Sequence, residues 1–489
     1  MNTKHLKAKI LDLAIRGKLV PQDPSEGSAA EFSKKSNNIS ENEIPFQIPE
    51  NWSWCRLDQI ANIERGGSPR PIADYLTTND DGINWIKIGD TKKGDKYIVS
   101  VKEKIKPEGI RYSRFVHAGD FLLTNSMSFG RPYILKVDGC IHDGWLVFGN
   151  IDSCISPEFL FQLLSSPFIY QSFKLTAAGS TVKNLNIDRV KQVIFPLPPL
   201  SEQQRIVSAI EKTFEQIDII EKNKLNLKTY IKQTKSKVLD LAIHGKLVEQ
   251  NPKEGNAFEL LEKIRKEKSD LIKQKKIKED KKSSFIIKAE DGKHYEQFAD
   301  GTLKEIEDEI PFEIPENWCW CRLREIGTWQ SGCTPDKSRK DFYDKADIPW
   351  LNSGDLTDGY IENIPHYVSR IAFNEKKMKL NDAGSVCIAM YGATIGKLGI
   401  LTKPATTNQA VLVCSKLHLS NSKYLFYFLK SHKKEYIQAG FGGAQPNISK
   451  EKVEPTLFPL PPLEEQKRIV ERIENIFEQL YILEKSIGE

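Results

Sequence analysis

The chain has 489 residues, 39% of them hydrophobic and 28% charged, and a formal net charge of +5, which permits a nucleic-acid partner without requiring one. That length is too great for one hydrophobic core, so about two to four domains are expected. The sequence has no apolar run near the roughly 18 residues of a membrane span, and its polar start lacks a signal peptide, which predicts a cytoplasmic protein.

The eight cysteines are spread along the chain, and none has the C-x-x-C spacing that begins a zinc site. The closest pair, Cys319 and Cys321, is separated by Trp320 alone. We therefore expect small buried side chains rather than metal ligands.

Three sequence blocks occur twice, each time in the same order, and they determine the architecture. They are block 1, 7–20 and 235–248, 11 of 14 residues identical; block 2, 43–57 and 309–323, 13 of 15; and block 3, 195–211 and 458–474, 13 of 17. Between blocks 2 and 3 lie 137 residues in the first copy (58–194) and 134 in the second (324–457). Nearly identical flanks indicate a shared partner, whereas the divergent middles indicate one fold with two different ligand-binding surfaces.

Both middles mix short apolar runs with glycine and proline, which predicts the strands of an irregular, loop-rich sheet. The predicted strands are 120–124, 133–137 and 145–148 in the first middle and 386–390, 398–401 and 410–413 in the second. Each middle also has a predicted helix, at 157–173 and 423–436. Each is therefore expected to be an α+β domain.

Block 3 of the first copy continues into a helical pattern. Apolar residues have helical spacing over 206–220 and again over 227–241, and Gly245 supplies a stop. This pattern predicts two helices joined near 222–226 as an antiparallel, coiled-coil-like hairpin. The alternative is an ordinary amphipathic pair packed onto a domain.

The two chain ends carry the same helices in two pieces. Residues 463–484 repeat the first helix and residues 4–15 repeat the end of the second, so the C-terminal helix is expected to pack on the N-terminal one. A helix of about 22 residues is ~33 Å long, close to one turn of B-DNA. The hairpins are therefore candidates for spacers between two binding domains.

The second copy has 60 residues between blocks 1 and 2 (249–308), where the first has 22 (21–42). Within this insertion, 262–282 carries ten basic and five acidic residues. A solvated helix or linker is the favoured interpretation, and a DNA-contacting patch is the alternative.

These patterns resemble the specificity subunits of type I restriction-modification enzymes. The matching motifs are F-P-L-P-P-L-x-E-Q at 195–203 and 458–466, I-P-x-x-W at 48–52 and 314–318, and L-D-x-A-I-x-G-K-L-V in both copies of block 1. G-A-T-I-G-K at 392–397 and T-N-Q-A at 407–410 resemble motifs within that family's target-recognition domains. The resemblance covers essentially the whole chain.

The resemblance implies a non-catalytic subunit that binds double-stranded DNA together with two methyltransferase subunits and, for restriction, motor-nuclease subunits. It implies an asymmetric, split DNA site, with one half read by each target-recognition domain and an adenine methylated in each half. S-adenosylmethionine, ATP and magnesium are then expected on the partner subunits, with no cofactor on this chain and no membrane partner.

The predicted fold is α+β, with two similar target-recognition domains separated by antiparallel helical hairpins in a circular pseudo-twofold repeat. The predicted domains are an N-terminal repeat helix (1–20), a first target-recognition domain (21–199), a central helical hairpin (200–248), a charged linker or insertion (249–308), a second target-recognition domain (309–462) and a C-terminal repeat helix (463–489).

No motif assembles a catalytic or nucleotide-binding site. The stretch 392–397 has three residues between its glycines instead of four and no Ser or Thr after the lysine, so a turn is expected rather than a P-loop. The Pro-Pro pairs at 198–199 and 461–462 lack the preceding Asn or Asp of an adenine methyltransferase, which must grip an extruded base. Neighbouring residues of a strand face opposite ways, so His142-Asp143 is interpreted as a structural turn rather than a catalytic dyad.

Base edges in the major groove are contacted mainly by Arg, Lys, Asn and Gln, while phosphate contacts fix position. Taken singly, each candidate is better explained as a surface residue, but the group is expected to include DNA contacts. The candidates in the first middle are Arg65, Ser68, Arg70, Asn125, Ser126, Ser128 and Arg131. Those in the second are Thr334, Lys337, Arg339, Tyr391, Thr394, Lys397, Asn408, Gln409 and Gln445.

Two other functional classes stay open from the sequence alone. One is a restriction-modification polypeptide with its own methylase or nuclease activity, against which the missing motifs count. The other is a stand-alone DNA-binding regulator, against which the near-identical flanks argue.

Overall fold

The computed structural model divides the chain into two units, residues 1–225 and 226–488, and each unit contains one copy of the three blocks. The residues described are 2–29, 39–92, 94–125, 130–151, 153–176, 185, 187–275, 283–345, 347–415, 417–418, 420–440 and 447–488. Across these ranges, no helix is both long enough and apolar enough to cross a membrane.

The first unit mixes helices and strands, as the α+β prediction requires. Its helices are α1 (Thr3–Ile15), α2 (Leu57–Ile60), α3 (Pro157–Leu164), α4 (Pro167–Thr176), α5 (Ile187–Lys191) and the first part of α6 (Leu200–Ile243). Its strands are β1 (Ser53–Arg56), β2 (Asn62–Arg65), β3 (Leu76–Thr77), β4 (Ile83–Ile86), β5 (Tyr97–Ile98), β6 (Glu103–Ile105), β7 (Arg114–Val116), β8 (Phe121–Thr124), β9 (Pro132–Leu135), β10 (Gly139–Ile141), β11 (Trp145–Gly149) and β12 (Ile194–Leu197).

The central sheet of this unit, in the order β2-β11-β8-β9-β5, has apolar side chains on both faces. Successive residues of a strand point to opposite faces. Phe121 and Leu123 of β8 therefore pack in one core with α3 and α4. Leu122 packs with Trp145 in a second core, which includes residues of the other sheet, β3-β6-β4-β10-β7. The domain is thus layered as helices, sheet and sheet.

The second unit has the same mixture of elements. Its helices are the second part of α6, then α7 (Ala257–Lys273), α8 (Leu323–Ile326), α9 (Arg370–Glu375), α10 (Ser422–Ser431), α11 (Lys433–Gly440), α12 (Lys450–Val453) and α13 (Leu463–Gly488). Its strands are β13 (Ser284–Lys288), β14 (His294–Phe298), β15 (Leu303–Glu305), β16 (Cys319–Arg322), β17 (Thr328–Ser331), β18 (Ile348–Leu351), β19 (Gly359–Ile361), β20 (Tyr367–Val368), β21 (Val386–Ala389), β22 (Leu398–Leu401), β23 (Thr406–Thr407), β24 (Val411–Ser415) and β25 (Leu457–Leu460).

The layering of the second unit repeats that of the first, around the sheet β17-β24-β21-β22-β19. Val386 and Ile388 of β21 lie in a core with the helical residue Tyr424. The alternate residues, Cys387 and Ala389, lie in a separate core on the other face. Both middles therefore have one fold, as the shared anchors predicted.

The two helices predicted inside the middles are each divided in the structure. The helix predicted at 157–173 becomes α3 and α4, because Ser165 and Ser166 precede Pro167 and the residue before a proline disfavours the helical conformation. The helix predicted at 423–436 becomes α10 and α11, which are separated at His432.

The three repeated blocks of the first unit meet at one junction. A Cβ atom at Gly17, where φ is +66°, would lie 2.4 Å from Cγ of Pro49, so blocks 1 and 2 touch at a position that requires glycine. Glu202 of block 3 is fully buried and accepts hydrogen bonds from Nε1 of Trp52 (2.9 Å) and Nε2 of Gln22 (2.7 Å). Strand β1 of block 2 pairs with β12, which leads into block 3.

The second unit has the same junction. A Cβ atom at Gly245, where φ is +65°, would lie 2.4 Å from Cγ of Pro315. Glu465 is fully buried and accepts a hydrogen bond from Nε2 of Gln250 (2.7 Å), and β16 pairs with β25. Much of the identity between the blocks therefore serves contacts of the blocks with one another.

The predicted central hairpin is wrong in one respect, because α6 is a single continuous helix from Leu200 to Ile243. The change of apolar spacing at 222–226 was interpreted as a turn. No glycine or proline occurs between Leu200 and Gly245, so nothing in this stretch ends a helix.

Antiparallel helix pairs do form, but each terminal helix supplies one member. In the first unit, Lys7 of α1 pairs with Asp218 of α6. In the second unit, Lys235 of α6 pairs with Glu484 of α13 (Nζ–Oε2, 2.9 Å). The predicted packing of the C-terminal helix on the N-terminal one would join the two units, and it stays a prediction.

The inserted segment 249–308 is folded, so its interpretation as a solvated linker is wrong. Helix α7 buries Leu261 and Ile264 in the core of the second unit. The sheet β13-β14-β15 supplies Ile286 to a small core that covers Trp320 of block 2. Part of the positive charge is used internally, since Arg265 pairs with the buried Glu325. Residues 276–282 lie outside the described ranges.

Seven of the eight cysteines are buried and Cys333 is partly exposed; all eight are free thiols. Burial raises the pKa of Cys55 and Cys387 to about 12. The expectation of small buried side chains is thus confirmed for every cysteine except Cys333.

Candidate nucleic-acid interface

Three loops meet at one end of the central sheet in each unit, and the sequence candidates in the described ranges lie on them or at their edges. Loop A follows β2 or β17 (66–70 and 332–339), loop B precedes β11 or β24 (142–144 and 408–410), and loop C follows β8 or β21 (125–131 and 390–397). We call the three loops together the three-loop face.

Equivalent backbone hydrogen bonds hold these loops in both units. The N–H of loop A donates to the strand before loop B, and the first N–H after β8 or β21 donates to loop B. The pairs are Gly67 to Ile141 (3.2 Å) and Asn125 to Gly144 (2.7 Å) in the first unit, and Cys333 to Thr407 (2.9 Å) and Met390 to Ala410 (2.8 Å) in the second. Because the bonds use backbone atoms, the side chains can differ while the loops keep their places.

Glycine allows loops A and B to approach closely. A Cβ atom at Gly66 would lie 2.2 Å from the carbonyl oxygen of His142, and one at Gly332 would lie 2.0 Å from that of Thr407. Any side chain at these positions would push the loops apart. The start of loop A is therefore a fixed feature of both domains.

In the first unit, Asp143 of loop B gathers three of the candidates. Its carbonyl oxygen accepts a hydrogen bond from Nε of Arg65 (2.9 Å), and its carboxylate accepts one from Oγ of Ser68 (3.1 Å). Arg70 forms an ion pair with the same carboxylate (3.2 Å), although its side chain is 80% exposed. An exposed ion pair of this kind contributes little, so Arg70 can leave Asp143 for a phosphate or base at small cost.

The other candidates of the first unit differ in accessibility. Asn125 is 1% exposed, so it is a structural residue of loop C rather than a surface contact. Arg131 is partly exposed, and its N–H donates to Oγ1 of Thr124 (2.9 Å). Ser126 and Ser128 lie outside the described residues.

In the second unit, loops A and B meet through Thr334, whose Oγ1 accepts a hydrogen bond from the N–H of Gln409 (3.4 Å). Asn408 stabilises the turn, since its Oδ1 accepts a hydrogen bond from the N–H of Ala410 (3.1 Å). Gln409 is exposed and Asn408 is partly exposed. Both amide side chains therefore lie at the surface of the three-loop face.

The far part of loop A carries exposed positive charge. Lys337 and Arg339 are both exposed. Arg339 is held by Asp341 through two hydrogen bonds (2.8 and 2.6 Å), which raise the pKa of the guanidinium and lower that of the carboxyl. Arg339 is thus pre-engaged, whereas Lys337 is the more available cation.

Loop C of the second unit connects β21 to β22, and it contains the G-A-T-I-G-K stretch. The N–H of Gly396 donates to the carbonyl of Ala389 (2.9 Å), and the N–H of Lys397 donates to that of Thr394 (2.9 Å). The stretch is therefore a turn, as predicted, and not a phosphate loop. Tyr391 pairs with Asn447 in an isolated bridge, and Gln445 lies outside the described residues.

His142 and Asp143 form a structural turn, as predicted. Nδ1 of His142 accepts a hydrogen bond from the N–H of Gly144 (2.7 Å), and burial lowers the pKa of the imidazole. The side chain of Asp143 faces loop A instead. Within the described ranges, no group of three or more His, Cys, Asp and Glu side chains could hold a metal ion.

Sequence reasoning missed Asp143 as the residue that organises the face, and it missed Arg114 and Lys379. Arg114 donates from Nη1 to Glu64 (2.6 Å) and from Nε to the carbonyl of Arg65 (3.2 Å), at the start of loop A. Lys379 occupies the equivalent place beside β17. Alignment of the two middles by strand register would have found this repeated basic position, because it precedes the shared Ala-Gly pairs at 118–119 and 383–384.

Comparison with curated proteins gives relatives of one kind. The chain is 25% identical to the specificity subunit of the type I restriction enzyme EcoAI of Escherichia coli, over 97% of this chain and 89% of the relative. The EcoEI specificity subunit of Escherichia coli matches with the same identity and coverage.

Two solved structures share the fold. The HsdS subunit from Thermoanaerobacter tengcongensis aligns with 92% of this chain and 94% of its own, at 19% identity and a TM-score of 0.58. A chain from a study of assembly and conformational transition of the type I R-M system aligns with 91% and 94%, at 19% identity and a TM-score of 0.59. The α+β repeat fold is thereby confirmed.

The model of the type I restriction modification DNA specificity domain matches residues 49–229 and 315–489. Each match covers one middle with its three-loop face and extends into the helix that follows. The chain therefore belongs to the family of type I restriction modification DNA specificity subunits, with two copies of the specificity domain.

Proposed function

We propose that each unit reads one half of a split, asymmetric DNA sequence through its three-loop face, without catalysis by this chain. The observation that carries this proposal is one backbone framework with different side chains. Loop B offers Asp143 in the first unit and Gln409 in the second, and loop A offers Arg65 and Ser331 at equivalent places. Different donors and acceptors at equivalent positions suit two different half-sites.

We also propose that the helices bind two methyltransferase subunits, which motor-nuclease subunits join for restriction. Exposed apolar side chains on the helices support a protein partner. On α6 these are Ile219, Ile220, Leu225, Leu227 and Tyr230, and on α13 they are Tyr481, Ile482 and Leu483. S-adenosylmethionine, ATP and magnesium would then be bound by the partners.

The proposal is tested by exchanging 58–194 for the same segment of a relative and mapping methylated adenines in the presence of the methyltransferase. We expect one half of the methylated sequence to change, because the framework and the reading side chains occupy separate positions. Exchange of 324–457 is the matched control and should change the other half. A change of both halves in either chimera contradicts modular reading. Methyl transfer by the chain alone contradicts the absence of catalysis.

A further inference from the structure

A small cleft of about 70 Å³ lies beside loop A of the second unit. Strand β17 and the start of loop A form one side, through Gln330, Ser331, Gly332 and Cys333. The segment after α9 forms another, through Lys377, Met378, Lys379 and Asn381, and Thr407 completes the lining. The cleft therefore adjoins Thr334 and Asn408, the candidates next in the chain to Cys333 and Thr407.

The cleft contains a buried hydroxyl group that points to a ligand. Thr407 is 1% exposed, and among the described residues its Oγ1 has no hydrogen-bond partner. The same Oγ1 faces loop A, since it lies 2.3 Å from the position of a Cβ atom at Gly332. An unsatisfied buried hydroxyl costs about 1–3 kcal/mol, and an acceptor within the cleft would remove that cost.

The lining selects an anion. Lys377 and Lys379 are exposed and lie at the cleft, and ammonium and hydroxyl groups are both donors to phosphate oxygens. The volume is more than twice the roughly 30 Å³ that one water occupies in the liquid. The cleft therefore has room for a small tetrahedral group and is too small for a nucleobase.

The first unit lacks this combination. Ile141 occupies the position of Thr407, because each accepts the hydrogen bond from loop A. Glu64 occupies the position of Gln330 and pairs with Arg114, so the basic side chain there is already neutralised. The hydroxyl and the uncharged amide are specific to the second domain.

We propose that this cleft binds one phosphate group of the DNA backbone next to the half-site read by the second unit. The inference rests on the proposed DNA-binding function and adds a contact to it. Thr407 donates from Oγ1 to a phosphate oxygen, and Lys377 and Lys379 supply the opposite charge. Loops A and B, which flank the cleft, are thereby fixed in register on the duplex.

The test measures binding of the full chain to a labelled random-sequence duplex by fluorescence anisotropy, between roughly 50 and 200 mM salt. A K377A/K379A variant should bind more weakly, with a plot of log affinity against log salt about 0.9 less steep for the lost phosphate. T407V should bind roughly tenfold more weakly, because it loses a hydrogen bond to a charged group. K253A, which removes a lysine from an exposed turn of the same unit, should leave affinity and slope unchanged.

Cys333 gives a second readout, since it lines the cleft and is the one cysteine of the chain that is not buried. The duplex should slow its alkylation by iodoacetamide in the wild-type chain, and much less in K377A/K379A. Protection by inorganic phosphate alone would identify a free-anion site instead and overturn the backbone assignment. Equal slopes and equal protection in wild type and variant would overturn the cleft proposal while the proposed function stands. A wild-type chain and methyltransferase complex that bind no duplex would overturn both.

Discussion

Glu202 is a charged side chain at the centre of the first junction, yet it is fully buried. Its carboxylate accepts hydrogen bonds from Trp52, Gln22 and Asn51, and all three partners are N–H donors. Two of these donors lie in block 2, and Gln22 directly follows block 1. The charge therefore holds three separate stretches of chain together.

Replacing Glu202 with Gln tests this arrangement. The substitution puts an NH2 group where one carboxylate oxygen now accepts, so donor faces donor at one contact. We expect the free energy of unfolding to fall by about 1–3 kcal/mol, measured by urea denaturation. The control is Glu215→Gln, at an exposed position on the same helix. Equal stability of the two variants would contradict the role of Glu202.

Arg322 of the second unit provides a second test, because its equivalent in the first unit is more exposed. Arg322 and Glu296 are ion-paired at 2.7 Å, with side chains 8% and 7% exposed. Arg56 pairs at 2.8 Å with Glu43, whose side chain is 41% exposed. R322A should destabilise its unit by about 3–5 kcal/mol, because a buried carboxylate loses its partner. R56A should cost about 1 kcal/mol or less, and equal losses would contradict the dependence on burial.

The same pair predicts a pH dependence. Burial raises the pKa of Glu296, but hydrogen bonds from Arg322 and Ser284 outweigh it and leave the pKa below 4.5. A lowered carboxyl pKa stabilises the fold above the unfolded-state value and is lost as pH falls through the folded-state value. Wild-type stability should therefore decline below about pH 4.5, and R322A should show less of this decline in thermal melts.

At the scale of elements, strands were predicted better than helix ends. The runs 121–124 and 145–148 are apolar at every position, which is typical of strands covered on both faces. The end of α6 was predicted from Gly245, but the turn at 222–226 was placed on spacing alone, without a breaking residue. The loop contacts could not be predicted, because Asp143 and Ser68 are far apart in sequence and meet only through the sheet.

A proline at Leu225 tests whether α6 is needed as one helix. Leu225 is 67% exposed at the boundary of the two units, so L225P removes a backbone hydrogen bond without opening either core. We expect both units to stay folded, with new protease cleavage near the boundary. L225A is the control and should cleave like the wild type. Unfolding of either unit in L225P would contradict their independence.

At the scale of the whole molecule, duplication was visible in the sequence, but its meaning changed with the structure. The near-identical blocks were interpreted as evidence for a shared partner. The structure gives a nearer cause, since Gly17, Pro49 and Glu202 contact or join one another's blocks, as do their counterparts in the second unit. The exposed apolar residues of α6 and α13 are the better support for a partner.

A heptad inserted after Leu225 tests whether α6 sets the distance between the half-sites. Seven residues add ~10 Å of helix at 1.5 Å per residue, which matches about three base pairs of DNA. We expect a longer unread spacer and unchanged half-sites in the methylation map. Seven residues inserted at Gly292, in the turn between β13 and β14, are the control and should leave the spacer unchanged. An unchanged spacer in the first variant would reduce α6 to a docking element.

The pairing of β1 with β12 has a consequence for how such genes change. Arg56 lies opposite Ile194, so each middle enters and leaves the scaffold at one place, and the second middle does the same at Arg322 and Leu457. The codons for blocks 2 and 3 occur twice in one reading frame. A crossover in each block would therefore transfer an entire middle between alleles, and both joints would fall inside a strand pair already present in the recipient. Selection could then alter one half of the target in a single genetic event, while the encoded core is left intact.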